Sequence, residues 1–311
     1  MTRKHLKHLI LFFLSASVIV GAIDGSAVET GKPATYNEED YENLADVGSG
    51  GYGAVSKVRE KKTGKIYALK TFKTGSRGYE HARNEIKALK QLDHENIVKM
   101  VASTDITKRR EYNSFHIVLE HMPQDLEGIW NHPRTKEKAR EILHQILKGV
   151  AHIHSKNIIH RDIGTKNILV DPKTMAVKIC DFGLCLEGKN GDFSFDKDPT
   201  GGYYCDLLSI ADLIGHFYIG RGFSKWCVSE GKHIGNSVGD FERKIRKDFR
   251  ASYDELESVL SPKGMDFFQK IFSPENSGRY AAEKALEHPF FTEGREHDPL
   301  PKVPKQRRWC C

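Results

Sequence analysis

The chain has 311 residues, of which 39% are hydrophobic, so it is long enough to bury the core of one large or two ordinary domains. Its 48 basic and 42 acidic residues give a net charge of only +6. This small excess argues against a nucleic-acid-binding protein held by bulk charge, because such binding needs a strongly basic face.

The first 22 residues have the layout of a secretory signal peptide. A basic start is followed by an apolar run from Leu9 to Ile23 and by small residues at Gly21, Ala22 and Ala27. We therefore predict a signal peptide over residues 1–22, cleaved after Ala22 or Ala27, and a secreted or secretory-pathway protein. The alternative is an uncleaved membrane anchor, because the apolar run approaches the ~20 residues that a span needs. Residues 23–40 are predicted to be a linker.

A glycine-rich segment lies between a strand-like stretch that begins at Tyr41 and a second strand from Val55 to Arg59. Glycines let backbone N–H groups close over phosphates because no Cβ stands in the way. Such a hairpin is weak support by itself, since glycine-rich hairpins without a ligand are common. The segment comprises Gly48, Ser49, Gly50, Gly51, Tyr52, Gly53, Ala54 and Val55.

Lys70 ends the strand-like segment Tyr67-Ala68-Leu69-Lys70, and Glu85 lies on the predicted helix that follows. A lysine here can reach the α- and β-phosphates of a nucleotide, and the glutamate can hold its ammonium in place. Either charge alone is usually solvated surface. Together, at this distance behind the glycine-rich segment, they predict an ATP clamp.

From Tyr41 to about Leu119 the sequence favours short strands with one helix, and the pattern then becomes helical. Apolar residues at three- and four-residue spacing predict an amphipathic helix from Thr135 to Ser155, buried on one side. These residues are Ala139, Ile142, Leu143, Ile146, Leu147, Val150 and Ile153. The predicted fold class is therefore α+β, with a β-rich first lobe and a larger helical second lobe.

Two further motifs carry acidic and amide side chains that suit phosphoryl transfer. The segment from His160 to Asn167 contains Asp162, and Asp181-Phe182-Gly183 begins fourteen positions after Asn167. The chemistry needs one carboxylate to accept the proton of the incoming hydroxyl, an amide oxygen for Mg²⁺ and a second carboxylate on the metal. Asp162, Asn167 and Asp181 supply these groups in that order.

The motifs resemble those of the eukaryotic protein kinase family over residues 41 to about 291. The phrases GSGGYGAV, RNEIKALKQLDHENIV, VLEHMPQDLEGIW, HSKNIIHRD and RYAAEKALEHPFF look like those of cyclin-dependent kinases. The resemblance implies a two-lobed fold with its first lobe over 41–119, a hinge over 120–123 and its second lobe over 124–291. It also implies ATP and Mg²⁺ as cofactors and a protein substrate, phosphorylated on serine or threonine.

The resemblance further implies roles for individual residues. Val47 to Val55 cover ATP, while Val55, Ala68 and Leu169 sandwich the adenine. Glu120 to Met122 form the hinge that hydrogen-bonds it, and Leu119 guards the pocket behind. Phe182, His160 and Leu89 resemble members of an apolar stack between the lobes. Arg161 implies control by phosphorylation of the segment after Gly183, with Thr200 and Ser194 as candidates beside the alternative that both are unmodified.

The chain departs from the family pattern next to the catalytic aspartate. Serine/threonine kinases usually carry a lysine two positions after it, where this chain has Gly164. Lys166, four positions after Asp162, stands where tyrosine kinases have an arginine. Either position can aim a cation at the transferred phosphoryl group, so Lys166 is a candidate catalytic residue and the hydroxyl preference stays open.

A larger departure lies between Asp181 and Asp206, which are 25 positions apart and enclose no A-P-E motif. The segment that should dock a peptide is missing or rebuilt, so an ATP-binding scaffold without kinase activity is the alternative function. Arg279 resembles the arginine that pairs with the glutamate of that motif and must be exposed or paired differently. Tyr79-Glu80-His81-Ala82 replaces the cyclin-docking sequence, which puts a cyclin partner in doubt.

Residues 292–311 are predicted to form a basic tail that contains proline. The terminal Cys310 and Cys311 resemble a lipidated end, which would place an intracellular protein on a membrane instead of sending it through the secretory pathway. The N-terminal pattern is the stronger of the two because its three parts occur in order. The six cysteines do not have the spacing of a disulfide framework.

Overall fold

A computed structural model describes residues 33–107, 113–188, 202–222, 250–272, 278–279 and 281–292. The predictions on residues 1–32, on Ser194 and Thr200, and on the tail after Thr292 lie outside these ranges. Within them, no helix is long and apolar enough to cross a membrane.

The first lobe is built on a six-stranded sheet with the order β1-β5-β6-β4-β3-β2. Helix α1 packs against strands β4 and β6 of this sheet. All neighbouring strands are antiparallel except β1 and β5, which are parallel. The elements are β1 (Ala34–Thr35), β2 (Tyr41–Ser49), β3 (Gly53–Glu60), β4 (Ile66–Phe72), α1 (Ser76–Leu89), β5 (Met100–Ser103) and β6 (Phe115–Glu120).

The end of the predicted linker is part of this lobe. Strand β1 extends the edge of the sheet, and Tyr36 donates its backbone N–H to the carbonyl of Ser103 at 2.9 Å. A 3₁₀ helix from Glu38 to Asp40 then leads directly into β2. The prediction of a linker over 23–40 is thus wrong for residues 34–40, because β5 offers an open edge with which this segment pairs.

The second lobe consists mainly of helices and also contains five short strands. Strands β10, β9 and β7 form one small sheet, and β11 pairs with β8. The elements are β7 (Gln124–Asp125), α2 (Pro133–Glu137), α3 (Ala139–Ser155), β8 (Ile158–Ile159), β9 (Ile168–Val170), β10 (Val177–Ile179), β11 (Leu186–Glu187), α4 (Tyr203–Ile219), α5 (Arg250–Val259), α6 (Pro262–Phe272), α7 (Ala281–Leu286) and α8 (Pro289–Thr292).

Helices α3 and α4 form the centre of the second lobe. All seven apolar residues predicted for the buried face of the long helix are buried in α3. The predicted element from Thr135 to Ser155 is, however, divided at Lys138, whose φ and ψ of −96° and 14° are not helical. With a β-rich first lobe and a helical second lobe, the predicted α+β kinase fold is confirmed.

Candidate active site

The glycine-rich segment forms the turn between β2 and β3, as predicted. The N–H of Gly50 donates to the carbonyl of Gly53 at 2.8 Å and closes the turn. A Cβ added at Gly48, Gly50 or Gly51 would meet no atom within 4 Å, so the backbone here faces open space. At Gly53 a Cβ would collide with the carbonyl oxygen of Thr71, and glycine is therefore required there for close strand packing.

Lys70 and Glu85 form the predicted clamp at the centre of the first lobe. Lys70 lies on β4, and its Nζ is 2.7 Å from Glu85 Oε2 on α1. The same ammonium is 2.9 Å from Asp181 Oδ1, so a residue of the second lobe joins the cluster. Glu85 is completely buried and Lys70 is 9% exposed. Three charged groups predicted from separate motifs therefore meet in one place.

The electrostatics keep this cluster charged. Burial disfavours the Lys70 ammonium, but Glu85 and Asp181 together raise the pKa of Lys70 above its ordinary value. Burial would likewise raise the pKa of the Asp181 carboxyl, and Lys70 instead holds it below its usual range. Desolvation raises the pKa of Glu85 against the opposing effect of Lys70. We assign Glu85 as ionised because a neutral acid would leave the buried ammonium with one carboxylate.

Asp162 and Asn167 lie in the second lobe and contact each other. Asn167 Nδ2 donates to both the carbonyl and Oδ2 of Asp162, each at 2.8 Å. This arrangement leaves the amide oxygen of Asn167 directed away from Asp162. Asp162 is exposed as a residue, but partial desolvation of its carboxyl group raises its pKa, an effect that the bond from Asn167 opposes.

Lys166 is the least constrained of the predicted catalytic residues. Its side chain is 77% exposed, and its Nζ lies 3.6 Å from Glu127 Oε2, which is also exposed. A pair of this kind is weak because solvent screens it. The ammonium can consequently leave Glu127 at little cost, and the structure does not bring it to Asp162.

The predicted adenine-binding residues lie on strands of both lobes. Val55 is paired with Lys70, and Ala68 with Leu119, across the sheet. Leu169 lies on β9 opposite Asp125. Val55, Ala68 and Leu169 are each partly exposed, whereas Leu119 is buried.

The predicted hinge from Glu120 to Met122 joins β6 to β7. The Glu120 carboxylate accepts the N–H of Lys99 at 2.7 Å and pairs with Lys178 at 2.9 Å. Lys178 belongs to β10 of the second lobe. One carboxylate therefore fastens the hinge to both lobes.

Of the apolar stack implied by the resemblance, the structure shows a direct contact between Phe182 and His160. Phe182 is completely buried and contacts the ring of His160 edge-on, with 4.8 Å between ring centroids. Leu89 is buried in the same hydrophobic core. The aspartate of the Asp-Phe-Gly motif is thus anchored by the aromatic residue that follows it.

Sequence reasoning did not assign a site role to Asp206, the first acidic residue of α4. Its carboxylate accepts hydrogen bonds from the N–H of His160 and of Arg161, both at 2.8 Å, and lies 2.9 Å from His154 Nε2. Burial alone would raise the pKa of Asp206, but these donors, His154 above all, hold it below its usual range. An acidic residue in the first turn of a largely apolar helix, Tyr203–Ile219, was the signal available in the sequence.

Arg279 is paired with other partners, which is one of the two outcomes expected from the missing A-P-E motif. Its Nε donates to the carbonyl of His154 at 2.9 Å, and its guanidinium also contacts the carbonyl of Ser155. These are carbonyl groups at the end of α3, where a cation interacts favourably with the helix dipole. The Arg279 guanidinium therefore binds backbone carbonyl groups at the C-terminal end of α3.

The residues present fit a magnesium nucleotide. An amide oxygen on Asn167 and a carboxylate on Asp181 are the hard oxygen ligands that Mg²⁺ prefers. The open glycine backbone between Gly48 and Gly51 and the Lys70 ammonium suit phosphate groups. Val47 is 65% exposed and offers apolar surface for a base.

Comparison with known proteins identifies the family of this chain. The model of the protein kinase domain matches residues 41–204. Over 194 residues, which are 61% of its length, this chain is 38% identical to cyclin-dependent kinase-like 2 of Pongo abelii. It is 37% identical to that of Homo sapiens and 36% identical to that of Rattus norvegicus. The chain spans 37–38% of the length of these three relatives. It belongs to the eukaryotic protein kinase family, and within it is similar to the cyclin-dependent kinase-like proteins.

Proposed function

We propose that this chain is an active protein kinase that transfers the γ-phosphoryl group of ATP to a serine or threonine hydroxyl of a protein. The observation that carries the proposal is that the carboxylates of Glu85 and Asp181 both lie within 2.9 Å of the Lys70 ammonium. Asp162 and Asn167, which the mechanism also needs, are in contact with each other. A protein that only binds MgATP would need Asn167 for the metal, but it has no use for the Asp162 carboxylate that Asn167 contacts. The similarity to cyclin-dependent kinase-like proteins supports the preference for serine and threonine.

In this mechanism Asp162 orients the hydroxyl group of the substrate and accepts its proton. The hydroxyl oxygen forms a bond to the γ-phosphorus while the bond from that phosphorus to the β–γ bridging oxygen breaks, and ADP leaves with the electron pair. Lys70 binds the α- and β-phosphates and is held by Glu85. Asn167 and Asp181 would hold Mg²⁺, which neutralises phosphate charge. Lys166, once free of Glu127, could approach the transferred group.

Phosphoryl transfer by the purified full chain tests the proposal. We expect it to label at least one member of a panel of protein substrates from labelled MgATP. Asp162→Asn should reduce the rate on the order of 10²-fold or more, because the amide cannot accept the proton. Asp254→Asn is the matched control, since its side chain is 62% exposed on α5 and pairs with Arg250 there. Transfer that survives Asp162→Asn would contradict the mechanism.

The second candidate is a nucleotide-binding scaffold without turnover. It is favoured by the short interval of 25 positions between Asp181 and Asp206. Both candidates predict that MgATP at ~100 times its dissociation constant adds about 2.7 kcal/mol to the free energy of unfolding. Stabilisation without phosphoryl transfer would select the scaffold, and no stabilisation would count against both.

A further inference from the structure

His81 occupies a position between the glycine-rich loop and the Asp-Phe-Gly motif that the proposed function does not use. It lies on α1, one turn before Glu85, and is 8% exposed. Its imidazole ring is stacked on the ring of Tyr52, with 3.5 Å between centroids and 22° between planes. Tyr52 belongs to the turn between β2 and β3 and is 40% exposed. The imidazole thus covers one face of an aromatic ring at the tip of the loop.

Behind the imidazole lies the backbone of Gly183. A Cβ at Gly183 would collide with His81 Nδ1, so the absence of a side chain there is what allows the imidazole to fit. Asn84, also on α1, donates from Nδ2 to the carbonyl of Gly183 at 3.1 Å and fixes this backbone. His81 is consequently in contact with the tip of the loop and with the residue two positions after Asp181.

The backbone of the loop tip is held from another direction. The N–H of Lys73 donates to the carbonyl of Tyr52 at 2.9 Å, which ties the tip to the chain just after β4. Together with the N–H of Gly50, which donates to the carbonyl of Gly53 at 2.8 Å, and the pairing of Gly53 with Phe72, this bond holds the backbone of the tip on the side of β4. The ring of Tyr52 adds an attachment to α1 through His81, so the tip is held on the side of β4 by its backbone and on the side of α1 by this side chain.

We propose that His81 is a positioning residue that clasps Tyr52 and holds the glycine-rich loop at the height where its backbone N–H groups meet the phosphates of ATP. The inference rests on the proposed nucleotide site. His81 does not contact the nucleotide in this role and acts through Tyr52. Losing the clasp should weaken binding of ligands with phosphates and leave adenosine almost unaffected, because adenosine contacts the strands and hinge.

Calorimetric titration of the full chain with MgATP and with adenosine tests the clasp. We expect His81→Ala to weaken MgATP binding about three- to tenfold, the range of a lost aromatic pair, while adenosine affinity changes less than twofold. Tyr52→Ala should have a similar effect, and the double variant should be no weaker than Tyr52→Ala alone. His81→Phe should restore MgATP affinity to within twofold, since it keeps a flat ring.

The outcomes separate the clasp from the nucleotide site itself. Wild-type protein that binds neither ligand would overturn the proposed function. If the wild type binds both ligands and His81→Ala binds MgATP as tightly as the wild type does, the clasp is overturned and the proposed function is not. Equal losses for MgATP and adenosine would also overturn it, because they indicate general damage to the lobe. If His81→Ala does not fold, Tyr52→Ala is compared with wild type instead. The clasp then predicts a loss of MgATP affinity that is larger than the loss of adenosine affinity.

Discussion

Asp206 holds the segment from His160 to Asn167, the catalytic loop, in a backbone conformation that it would not adopt freely. Arg161 has a φ of 70°, in the left-handed region that residues with a Cβ avoid, and its N–H is bound by Asp206. Such a conformation costs on the order of 1–3 kcal/mol and persists only where the surroundings impose it. Two backbone donors and His154 converge on one buried carboxylate, so the catalytic loop depends on α4.

Asp206→Asn should destabilise the protein by about 3–5 kcal/mol at pH 7, because its amide group turns a donor towards a buried N–H and removes the charge. The pKa of Asp206 is lower in the folded protein than its ordinary value. Ionised Asp206 therefore contributes stability above the ordinary pKa of about 3.9, and this contribution is lost as pH falls through the folded pKa. Urea unfolding at several pH values should show the difference from wild type shrinking below about pH 4.

The matched control for this experiment is Asp254→Asn on α5, a change of the same chemistry at an exposed site. It should shift the free energy of unfolding by no more than about 0.5 kcal/mol. A difference between wild type and Asp206→Asn that stays constant down to pH 3 would contradict the assignment of an ionised Asp206.

The sequence indicates the charged residues that the structure brings together, but not the residues that hold the surrounding segments in place. Lys70, Glu85, Asp162, Asn167 and Asp181 each stand in a short motif whose chemistry can be recognised locally. The contacts of His81 with Tyr52 and of Arg279 with α3 join positions far apart in the chain. The pattern of a single sequence does not reveal such pairs, because it gives the residue types but not which of them lie close together.

At the scale of elements, the end of α3 shows how the fold accommodates the missing docking motif. The helix ends at Ser155, and the last carbonyl groups of a helix have no partner within it. Arg279 supplies donors to two of them, those of His154 and Ser155. His154 also contacts Asp206, so the guanidinium supports the same helix end that supports the catalytic loop.

Arg279→Ala should destabilise the protein by about 1–3 kcal/mol, since two carbonyl groups lose a charged donor at a helix end. Arg279→Lys should recover part of this loss because an ammonium keeps the charge but cannot bind both carbonyls in the same fork. Thermal unfolding measures both effects. Arg250→Ala serves as the control, as its side chain is 84% exposed and its pair with Asp254 is 3.8 Å long. Equal shifts for Arg279→Ala and Arg250→Ala would show that the helix end does not depend on Arg279.

The lengths of elements decided which ones could be predicted. The apolar period of α3 extends over more than four turns and gave its buried face correctly. Its division from α2 at Lys138 changes no apolar position and left no trace in the pattern. Strand β1 has two residues, Ala34 and Thr35, which is too short for any alternation to be recognised. It forms because the neighbouring edge of β5 supplies its partners.

Tyr36 should contribute to holding this short strand in place. Its ring is stacked on His116 of β6, with 4.7 Å between centroids, and on Tyr41 at 5.8 Å. We expect Tyr36→Ala to lower the free energy of unfolding by about 1–2 kcal/mol and to speed hydrogen exchange along β5, because aromatic contacts of this kind are worth 0.5–1.5 kcal/mol each. Tyr36→Phe keeps the ring and should behave like wild type. Loss of stability in both variants would assign the effect to the hydroxyl group.

At the scale of the whole molecule, the two lobes are joined by more than the hinge. The segment after α1 runs along β10, where the N–H of Val98 binds the carbonyl of Ile179 and the N–H of Ile179 binds the carbonyl of Asn96, both at 2.9 Å. Gly149 on α3 makes this approach possible, since a Cβ there would lie 2.7 Å from Ile179 Cδ1. The first lobe is therefore anchored on β10 and, through it, on α3.

Asn96 is the side chain on which this junction depends. It is 4% exposed, and its Nδ2 donates to the carbonyl of Val177 at 2.9 Å and to Gln145 Oε1 at 3.3 Å. Asn96→Ala should cost about 2–3 kcal/mol, because it removes two hydrogen bonds and leaves the buried carbonyl of Val177 without this donor.

Urea unfolding should show this loss as a lower midpoint with an unchanged slope, since the surface exposed on unfolding stays the same. Asn43→Ala, at an exposed position of β2, is the matched control and should change the midpoint little. Two separate transitions in Asn96→Ala would mean that the lobes unfold independently once the junction is weakened. An unchanged midpoint would place the coupling between the lobes at the hinge, where Glu120 binds both Lys99 and Lys178.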